Sequence, residues 1–392
     1  MEALFSLRLA SIKLARCQAA CEKIACIWLA IWENRERRLS DGKQLIWVLQ
    51  TGRAGDNAQA LEIARRLGGN TAIKKLAFNA LHNLPNWALG ASLASLAREA
   101  HRQIVPPWPN LVIAAGKRTV PVARWIKAAS GGRAKLVQVG RPRAALRHFD
   151  LVISTPQYGL PEGRNVVELA LPFASPQAVS GQEVSYWAEE WKDLPRPWTV
   201  VSIGASKFPL RFEAPEIGDL GEKLSGLGTS LIVLGSPRTR SDALDVLAKH
   251  VSGCPAKFYP WSRNATLYQA ALVLADRVVV TSDSMSMVSE AINSGKPVSI
   301  FRLPAWRFFP SWSAKRGLAA WLSRRGLLHA PRNMPAVIDG LIAQGYASPL
   351  GQEAPVAHSV LKPDYQLAID RIRDLLNSET KHPAVKAAWR PS

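Results

Sequence analysis

An apolar segment, VVVT, is followed by an unusually polar turn and then by apolar residues at helical spacing. The turn and the helix contain five positions that could contact a ligand: Asp283, Ser284, Met285, Ser286 and Glu290. Backbone N–H groups and serine hydroxyls at the positive end of a helix suit an anionic diphosphate. A carboxylate further along, at Glu290, can accept hydrogen bonds from ribose hydroxyls. The pattern therefore predicts a nucleotide diphosphate site, because a helix cap alone requires a single serine or aspartate.

The expected helix sets the geometry of this site. We expect Ser282 or Asp283 to cap the helix and Gly295 to close it, with Pro297 directly beyond. Asp283 and Glu290 lie seven positions apart, which is nearly two helical turns. The two carboxylates should therefore share one face of the helix.

Two further turns carry basic residues behind apolar runs. In LGSPRTRSD, Ser236, Arg238 and Thr239 place hydroxyls and a guanidinium group before a helix, and these groups suit a phosphate. Solvated arginine is the alternative interpretation. In IGASKFPLRF, Lys207 and Arg211 could meet a pyrophosphate.

The turn TGRAGDNAQ follows the first apolar run of the folded region. Gly52 and Gly55 allow a close approach of the backbone to a ligand. Asp56 is the only carboxylate in the turn, and it could act as a general base toward a hydroxyl acceptor. The alternative is a structural role for Asp56 as a helix cap.

The composition points to anionic partners. The 392-residue chain contains 50 Lys and Arg against 30 Asp and Glu, a formal net charge of +20. Such a charge favours nucleic acid, nucleotide phosphates or an acidic membrane surface as partners. Because the basic residues are mixed with Trp and Leu rather than gathered in a disordered tail, we prefer a nucleotide and a membrane surface and expect no nucleic acid.

Residues 1–43 form an N-terminal extension with helix-prone composition. Its longest uncharged apolar run is far shorter than the ~20 residues that span a bilayer, and no secretory cleavage pattern follows it. An amphipathic interfacial helix and an overlong start of the chain are both open interpretations. Cys17, Cys21 and Cys26 have no local His or fourth Cys beside them, so free thiols are preferred and no metal is expected.

Short apolar runs alternate with helical patterns along the rest of the chain, as in parallel sheets. A stretch rich in Pro, Ser, Glu and Trp at 171–197 interrupts this alternation, which then restarts. The sequence predicts an α/β protein with two Rossmann-like domains facing a cleft. The N-terminal domain covers 44–190 and the C-terminal domain 191–345, and a helix and tail at 346–392 could pack back on the N-terminal domain. We also expect a long helical stretch over 81–104.

Five segments together resemble the mitochondrial fission ELM1-like family: TGRAGDNAQALEIARRLG, LVIAAGKRTVPVARWIK, KLVQVGRPR, LIVLGSPRTR and VVVTSDSMSMVSEAINSGKPVSI. The resemblance covers about 44–345, and GASKFPLRF departs from the family's glycine-rich turn. It implies a GT-B glycosyltransferase-like fold for bacterial members and a role in mitochondrial fission for plant members. Carried over by position, it places Ser284, Met285, Ser286 and Glu290 against the donor nucleotide, Ser236, Arg238 and Thr239 nearby, and Gly52, Gly55 and Asp56 on the acceptor side.

The first functional hypothesis is a metal-independent glycosyltransferase without a separate cofactor. It would move a sugar from a nucleotide diphosphate sugar to a lipid-linked or cell-envelope glycan acceptor, on the cytoplasmic side of the inner membrane. Asp56 would be the base, and helix N-termini with Arg238 would stabilise the leaving diphosphate. The basic surface and the Trp/Arg-rich stretch 305–325 would hold the enzyme peripherally at anionic lipids.

Two other hypotheses belong to different classes. A non-catalytic, membrane-associated adaptor that retains the same shell would tolerate Asp56→Ala and Glu290→Ala. A nucleotide-sugar epimerase would need a base and an acid around one sugar carbon, and the sequence does not place such a pair.

Overall fold

A computed structural model describes residues 44–174, 179–261, 265–306, 315–354 and 362–377. Cys17, Cys21 and Cys26 and the rest of the N-terminal extension lie outside the described residues. The described chain forms two six-stranded sheets in which all neighbouring strands are parallel. The expectation of an α/β protein built from two Rossmann-like domains is confirmed.

The first sheet has the order β2-β1-β3-β4-β5-β6. Its strands are β1 (Leu45–Gln50), β2 (Asn70–Lys75), β3 (Leu111–Ala115), β4 (Lys135–Val139), β5 (Leu151–Ser154) and β6 (Val166–Glu168). Helices Ala54–Leu67, Asn86–Leu89, Arg98–His101 and Val120–Ala129 belong to this half.

The second sheet has the order β12-β11-β10-β7-β8-β9. Its strands are β7 (Trp198–Ile203), β8 (Ser230–Gly235), β9 (Ala256–Tyr259), β10 (Arg277–Thr281), β11 (Val298–Phe301) and β12 (Ser348–Pro349). The helices after β6 are Gly181–Glu190, Ala214–Ser225, Ala243–His250, Ala265–Leu274, Met285–Asn293, Gly317–Arg324, Met334–Ala343 and Lys362–Asn377.

The central strands are buried on both faces, which explains why the sequence shows them as unbroken apolar runs. Val278, Val279 and Val280 of β10 are 0% exposed, as are Leu111 and Val112 of β3. In each sheet the strand order reverses once near the middle, between β1 and β3 and between β7 and β10. Ligands of open parallel sheets bind at such reversals, outside the carboxyl ends of the strands.

The long helical stretch expected over 81–104 is wrong. This segment contains only the one-turn helices Asn86–Leu89 and Arg98–His101 and a 3-10 turn at Ala80–Asn83. Gly90 adopts a positive φ of 61° and ends the first of these helices, and Leu96 pairs with Phe78 in an isolated bridge. Apolar residues at helical spacing therefore pack here as an irregular cover on the sheet.

Helix Gly181–Glu190 packs in the core of the second half, although the sequence boundary at 190 assigned it to the first. Trp187 and Trp191 join Trp198 in the second core. The Trp191 indole N–H donates to the Tyr259 hydroxyl at 2.8 Å, which fixes the helix against the end of β9. The chain therefore enters the second domain before residue 181.

The final helix, Lys362–Asn377, returns to the first half and completes one of its two cores. Tyr365 stacks on Phe173 with ring centroids 4.5 Å apart, and its hydroxyl donates to the Pro172 carbonyl at 2.8 Å. Ser289, from helix Met285–Asn293, donates to the same carbonyl at 2.8 Å. The segment that crosses between the halves is thus held from both sides.

Helix Gly317–Arg324, in the Trp/Arg-rich stretch, borders the first domain. Arg324 donates to the Glu162 carbonyl at 2.6 Å, and Lys315 pairs with Glu168 at 2.8 Å. Leu318 and Trp321 on this helix are exposed. Among the described residues, no helix combines the length and the apolar character that a membrane span requires.

Candidate functional site

A cleft opens where the carboxyl ends of both sheets meet, and it contains two adjoining lobes. The first lobe, of about 460 Å³, is lined mainly by residues that follow strands of the first sheet. The second lobe, of about 740 Å³, is lined mainly by turns of the second sheet and by helix Met285–Asn293. Asp56, Tyr158, Lys207 and Arg332 line both lobes and therefore mark their junction.

Helix Met285–Asn293 points its N-terminus into the second lobe. Its N-cap is Ser284, and no side chain caps it, so the expected cap by Ser282 or Asp283 is wrong. The Ser282 hydroxyl instead accepts from the Leu303 N–H at 2.9 Å. The first-turn N–H groups have no capping side chain, as an anion site at a helix N-terminus requires. Ser284, Met285 and Ser286 all line the lobe, which is where the sequence placed a diphosphate.

The two domains approach each other closely at Gly55 and Ser286. A Cβ added at Gly55 would lie 3.0 Å from the Ser286 Oγ. Gly55 therefore brings the first domain against the N-terminus of the helix. Gly52 has open space around it and lines neither lobe.

Asp283 lines the second lobe, but its side chain is buried and has hydrogen-bond partners within the protein. Its carboxylate accepts from the Thr281 hydroxyl at 2.7 Å and from the Ala205 N–H at 3.3 Å. A Cβ added at Gly204 would lie 2.0 Å from its Oδ1, so only glycine fits there. Burial raises the pKa of Asp283, against the opposing effects of these hydrogen bonds and of Arg238. The structure therefore gives Asp283 a role in fixing the turn after β7.

Arg238 reaches the second lobe with Asp283 beside it. Its guanidinium lies 3.5 Å from the Asp283 carboxylate, and the side chain is otherwise half exposed. Ser236 also lines the lobe, whereas Thr239 does not. The Thr239 hydroxyl accepts from the Ser236 N–H at 2.7 Å and lies 2.9 Å from the Ile203 carbonyl oxygen. Thr239 thus holds the turn that presents Ser236 and Arg238.

Glu290 lies deeper in the second lobe, beside Tyr268. Burial raises the pKa of Glu290 to about 7, and the Tyr268 hydroxyl opposes this rise. The Gln269 Oε1 is buried without a hydrogen-bond partner among the described residues, whereas the Tyr268 hydroxyl lies close to Ser202 and Glu290 but makes no hydrogen bond of normal geometry with the described residues. Both residues line the lobe. Buried polar groups without partners are costly, so a ligand that pairs with them gains affinity.

Asp56 lies in the first turn of helix Ala54–Leu67 and does not cap it. The N-cap is Arg53, and the Asn57 side chain holds the preceding loop by accepting from the Thr51 N–H at 2.9 Å. The Asp56 carboxylate faces Gly116 at the end of β3, where an added Cβ would lie 2.9 Å from Oδ2. Burial raises the pKa of Asp56, while Arg53, Arg332 and Lys207 act in the opposite direction.

The sequence predicted that Lys207 and Arg211 could both contact a pyrophosphate, but only Lys207 lines the cleft. Lys207 lines both lobes, and desolvation together with Arg238 and Arg332 lowers its pKa to about 8. Arg211 lines neither lobe, because it pairs with Glu216 at 2.7 Å beneath the cap of helix Ala214–Ser225. The interpretation of Arg211 as a pyrophosphate contact is therefore wrong.

Four cations of the cleft escaped the sequence reasoning: Lys117, Arg141, Arg143 and Arg332. Lys117 follows Gly116 at the end of β3, and Arg141 follows Gly140 at the end of β4. Basic residues directly after a strand-ending glycine, in AAGKR and VGRPR, were the available signal. Arg332 belongs to the second half of the chain and does not follow a strand-ending glycine, so the sequence did not mark it.

Solved structures with a similar backbone were found at low sequence identity. A glycosyltransferase from Rickettsia africae ESF-5 is 10% identical, with a TM-score of 0.46, and the match covers 87% of this chain and 100% of that one. Anabaena Alr3699/HepE in complex with UDP and glucose is 12% identical, with a TM-score of 0.47 and coverage of 86% and 100%. A UDP-N-acetylglucosamine 2-epimerase from Rickettsia bellii is 9% identical, with a TM-score of 0.41 and coverage of 86% and 98%.

Sequence relatives are more informative. The mitochondrial fission protein ELM1 of Arabidopsis thaliana is 28% identical over an alignment of 237 residues, and the match covers 53% of this chain and 54% of the plant protein. An uncharacterized protein of Rickettsia prowazekii (strain Madrid E) is 25% identical over an alignment of 300 residues, and the match covers 66% of this chain and 83% of that protein. The chain thus spans about half of the plant relative's length. A family model described as mitochondrial fission ELM1 matches residues 54–363, nearly all of the two-domain region, and the chain belongs to this family.

Proposed function

We propose that the protein is a glycosyltransferase that uses a nucleotide diphosphate sugar as donor. In the reaction, the acceptor hydroxyl oxygen forms a bond to the anomeric carbon while the bond from that carbon to the diphosphate oxygen breaks. The nucleoside diphosphate leaves with the electron pair, and the acceptor proton passes to the Asp56 carboxylate. The observation that carries this proposal is the position of Asp56 at the junction of the two lobes.

The second lobe has the groups that a donor nucleotide requires. Arg238 and Lys207 supply positive charge, and the uncapped N-terminus of helix Met285–Asn293 supplies N–H groups for a diphosphate. Glu290 can pair with the ribose diol, and Gln269 offers an oxygen that has no partner in the described segments. We therefore assign the second lobe to the donor. Arg238 and Lys207 would stabilise the leaving diphosphate without a metal ion.

Asp56 has properties that suit a general base. Its burial raises its pKa toward the range in which a carboxylate accepts a proton more readily. Gly116 has no Cβ that would contact the Asp56 carboxylate, and Asn57 rather than Asp56 holds the preceding loop by donating to the Thr51 carbonyl. The acceptor would enter from the first lobe and present its hydroxyl to Asp56.

The proposed acceptor is a lipid-linked or cell-envelope glycan, and the proposed location is the cytoplasmic face of the inner membrane. The net charge of +20 favours contact with anionic lipids, and exposed Leu318 and Trp321 add apolar surface on one helix.

The adaptor hypothesis follows from the name of the plant relative, a mitochondrial fission protein. An adaptor would retain the shell for recruitment to a membrane and would make no use of the cleft. The two hypotheses differ in whether the second lobe binds nucleotide.

A thermal-shift panel of UDP, GDP, ADP and CMP sugars tests the proposal. One of them should raise the melting temperature of the wild type and should raise that of Glu290→Ala much less. Asp245→Asn, which alters an exposed carboxylate outside both lobes, is the matched control and should respond as the wild type does. If no nucleotide stabilises the wild type, the transferase proposal is refuted and the adaptor hypothesis is favoured.

A further inference from the structure

The first lobe is lined by an excess of cations. Six basic side chains surround about 460 Å³ of space, and Asp56 is the single carboxylate among the described residues that line it. The six are Arg53, Lys117, Arg141, Arg143, Lys207 and Arg332. A lobe built to hold only a neutral sugar would not require this charge, because hydroxyls are recognised mainly by neutral or single charged groups.

In the part of the chain that the structure describes, five of these six cations form no close ion pair with a carboxylate. Among the described residues, only Arg53 of the six lies within 4.0 Å of a carboxylate, and that distance is 4.0 Å to Asp56. Desolvation, with Arg143 and Arg332 nearby, lowers the pKa of Arg141 to about 10. Desolvation and Arg143 also lower the pKa of Lys117. Keeping several cations close together costs free energy, which an anionic ligand would recover.

Two of these cations, Arg141 and Arg332, are also held in place, as a binding site requires. Arg141 donates to the Ala330 carbonyl and lies 5.6 Å from the centre of the Tyr158 ring. Arg332 lies 4.9 Å from the same ring and donates to the Tyr158 hydroxyl at 3.2 Å. Tyr158 thus lies against two guanidinium groups from different halves of the chain. Arginine in this fixed geometry matches the oxygens of a phosphate.

We propose that the first lobe binds a phosphate or diphosphate group of the acceptor, so that the acceptor is a phosphorylated compound rather than a neutral glycan. A phosphate monoester carries about two negative charges at pH 7 and three acceptor oxygens, whereas a carboxylate carries one charge. The identification of the phosphate as part of the acceptor rests on the proposed glycosyltransferase function. The phosphate site itself is independent of any donor.

The lining of the lobes allows the site to be tested separately. Lys117, Arg141 and Arg143 line only the first lobe, and Arg238 lines only the second. Arg143 is exposed and has a φ of 51°, so Arg143→Asn removes the charge with a residue that tolerates this backbone. Arg147→Gln removes an exposed charge four residues further on, outside both lobes, and is the matched control.

Calorimetric titration with inorganic pyrophosphate is the first measurement. The wild type and Arg147→Gln should bind it equally, Arg143→Asn should raise the Kd of one site about tenfold or more, and Arg238→Gln should leave that site unchanged. Circular dichroism spectra and melting temperatures show whether each variant is folded. If pyrophosphate does not bind, or if its binding depends on Arg238 and not on Arg143, the proposal is overturned.

The source of the phosphate is separated by two further probes. A hexose 1-phosphate in solution and a polyprenyl phosphate in phosphatidylcholine vesicles are each tested with the wild type and with Arg143→Asn. Binding of either one that depends on Arg143 supports the site and identifies the acceptor as soluble or membrane-anchored. Binding of neither overturns the proposal. Failure of the donor hypothesis gives a different pattern, since nucleotide sugars would then have no effect while binding that depends on Arg143 persists.

Discussion

Replacing Glu290 with glutamine should stabilise the protein without ligand, and it should do so only at pH values where Glu290 is ionised. Burial raises the pKa of this carboxyl from 4.5 to about 7 in the folded state. At about 1.36 kcal/mol per pKa unit, the ionised group destabilises the fold by about 3 kcal/mol at high pH. Glutamine has a similar shape and carries no charge, so it avoids this cost.

The sign follows from proton binding. Between pH 4.5 and about 7 the folded protein binds more protons at Glu290 than the unfolded chain does, so wild-type stability falls as pH rises through this window. Above pH 7 the loss is complete, and below pH 4.5 it is absent. The difference between Glu290→Gln and the wild type should therefore grow from near zero at pH 4 to about 3 kcal/mol at pH 8.

Scanning calorimetry at several pH values between 4 and 8 measures this difference. For a domain of this size, about 3 kcal/mol corresponds to a shift of roughly 6–12 °C in the melting temperature. Glu222→Gln makes the same change at an exposed carboxylate on helix Ala214–Ser225 and is the matched surface control. A shift for Glu290→Gln that is equal at pH 4 and pH 8 would refute the reasoning, because the effect would then be unrelated to ionisation.

Three further predictions concern Asp56, Gly204 in the turn after β7, and helix Lys362–Asn377. Asp56→Asn should lower the rate of sugar transfer about 10²–10⁴-fold while leaving the thermal shift by nucleotide intact, as measured by release of nucleoside diphosphate. Gly204→Ala should cost about 3 kcal/mol in urea unfolding, because its Cβ would overlap a buried carboxylate, whereas Gly52→Ala should change stability by less than about 0.5 kcal/mol. Tyr365→Ala should cost about 3–5 kcal/mol, and Leu367→Ala, which is 56% exposed on the same helix, should cost far less. Equal losses for the two members of either pair would contradict the packing that we describe.

Much of the fold could be predicted from the sequence because the central strands are buried on both faces. Runs such as LIVLG and VVVT admit few alternatives, and they form the buried strands β8 and β10. The sequence did not predict the edge strands β2 and β6, because edge strands are not buried on both faces. β2 alternates exposed and half-buried residues, and β6 has only three residues, so neither shows an apolar run.

The site was predictable in its location but only partly in its chemistry. The rule that ligands bind beyond strand ends led to turns that line the cleft, including the turn with Ser284 and Ser286. Sequence alone could not distinguish a side chain that faces a ligand from one that faces a neighbouring turn. Asp283, Thr239 and Arg211 all have partners within the protein, and those partners come from distant positions or from a different element.

The return of helix Lys362–Asn377 to the first sheet has a consequence for synthesis on the ribosome. Tyr365, Ile369 and Ile372 fill one core of the first domain together with residues such as Ile46 and Ile113. Tyr365, Ile369 and Ile372 are synthesised about 200 residues after β6. At 5–20 residues per second, this delay is about 10–40 s. During that time helix Ala54–Leu67 covers only part of this sheet face in the nascent first domain, so a chaperone that binds apolar segments should associate with the ribosome-bound chain until helix Lys362–Asn377 emerges.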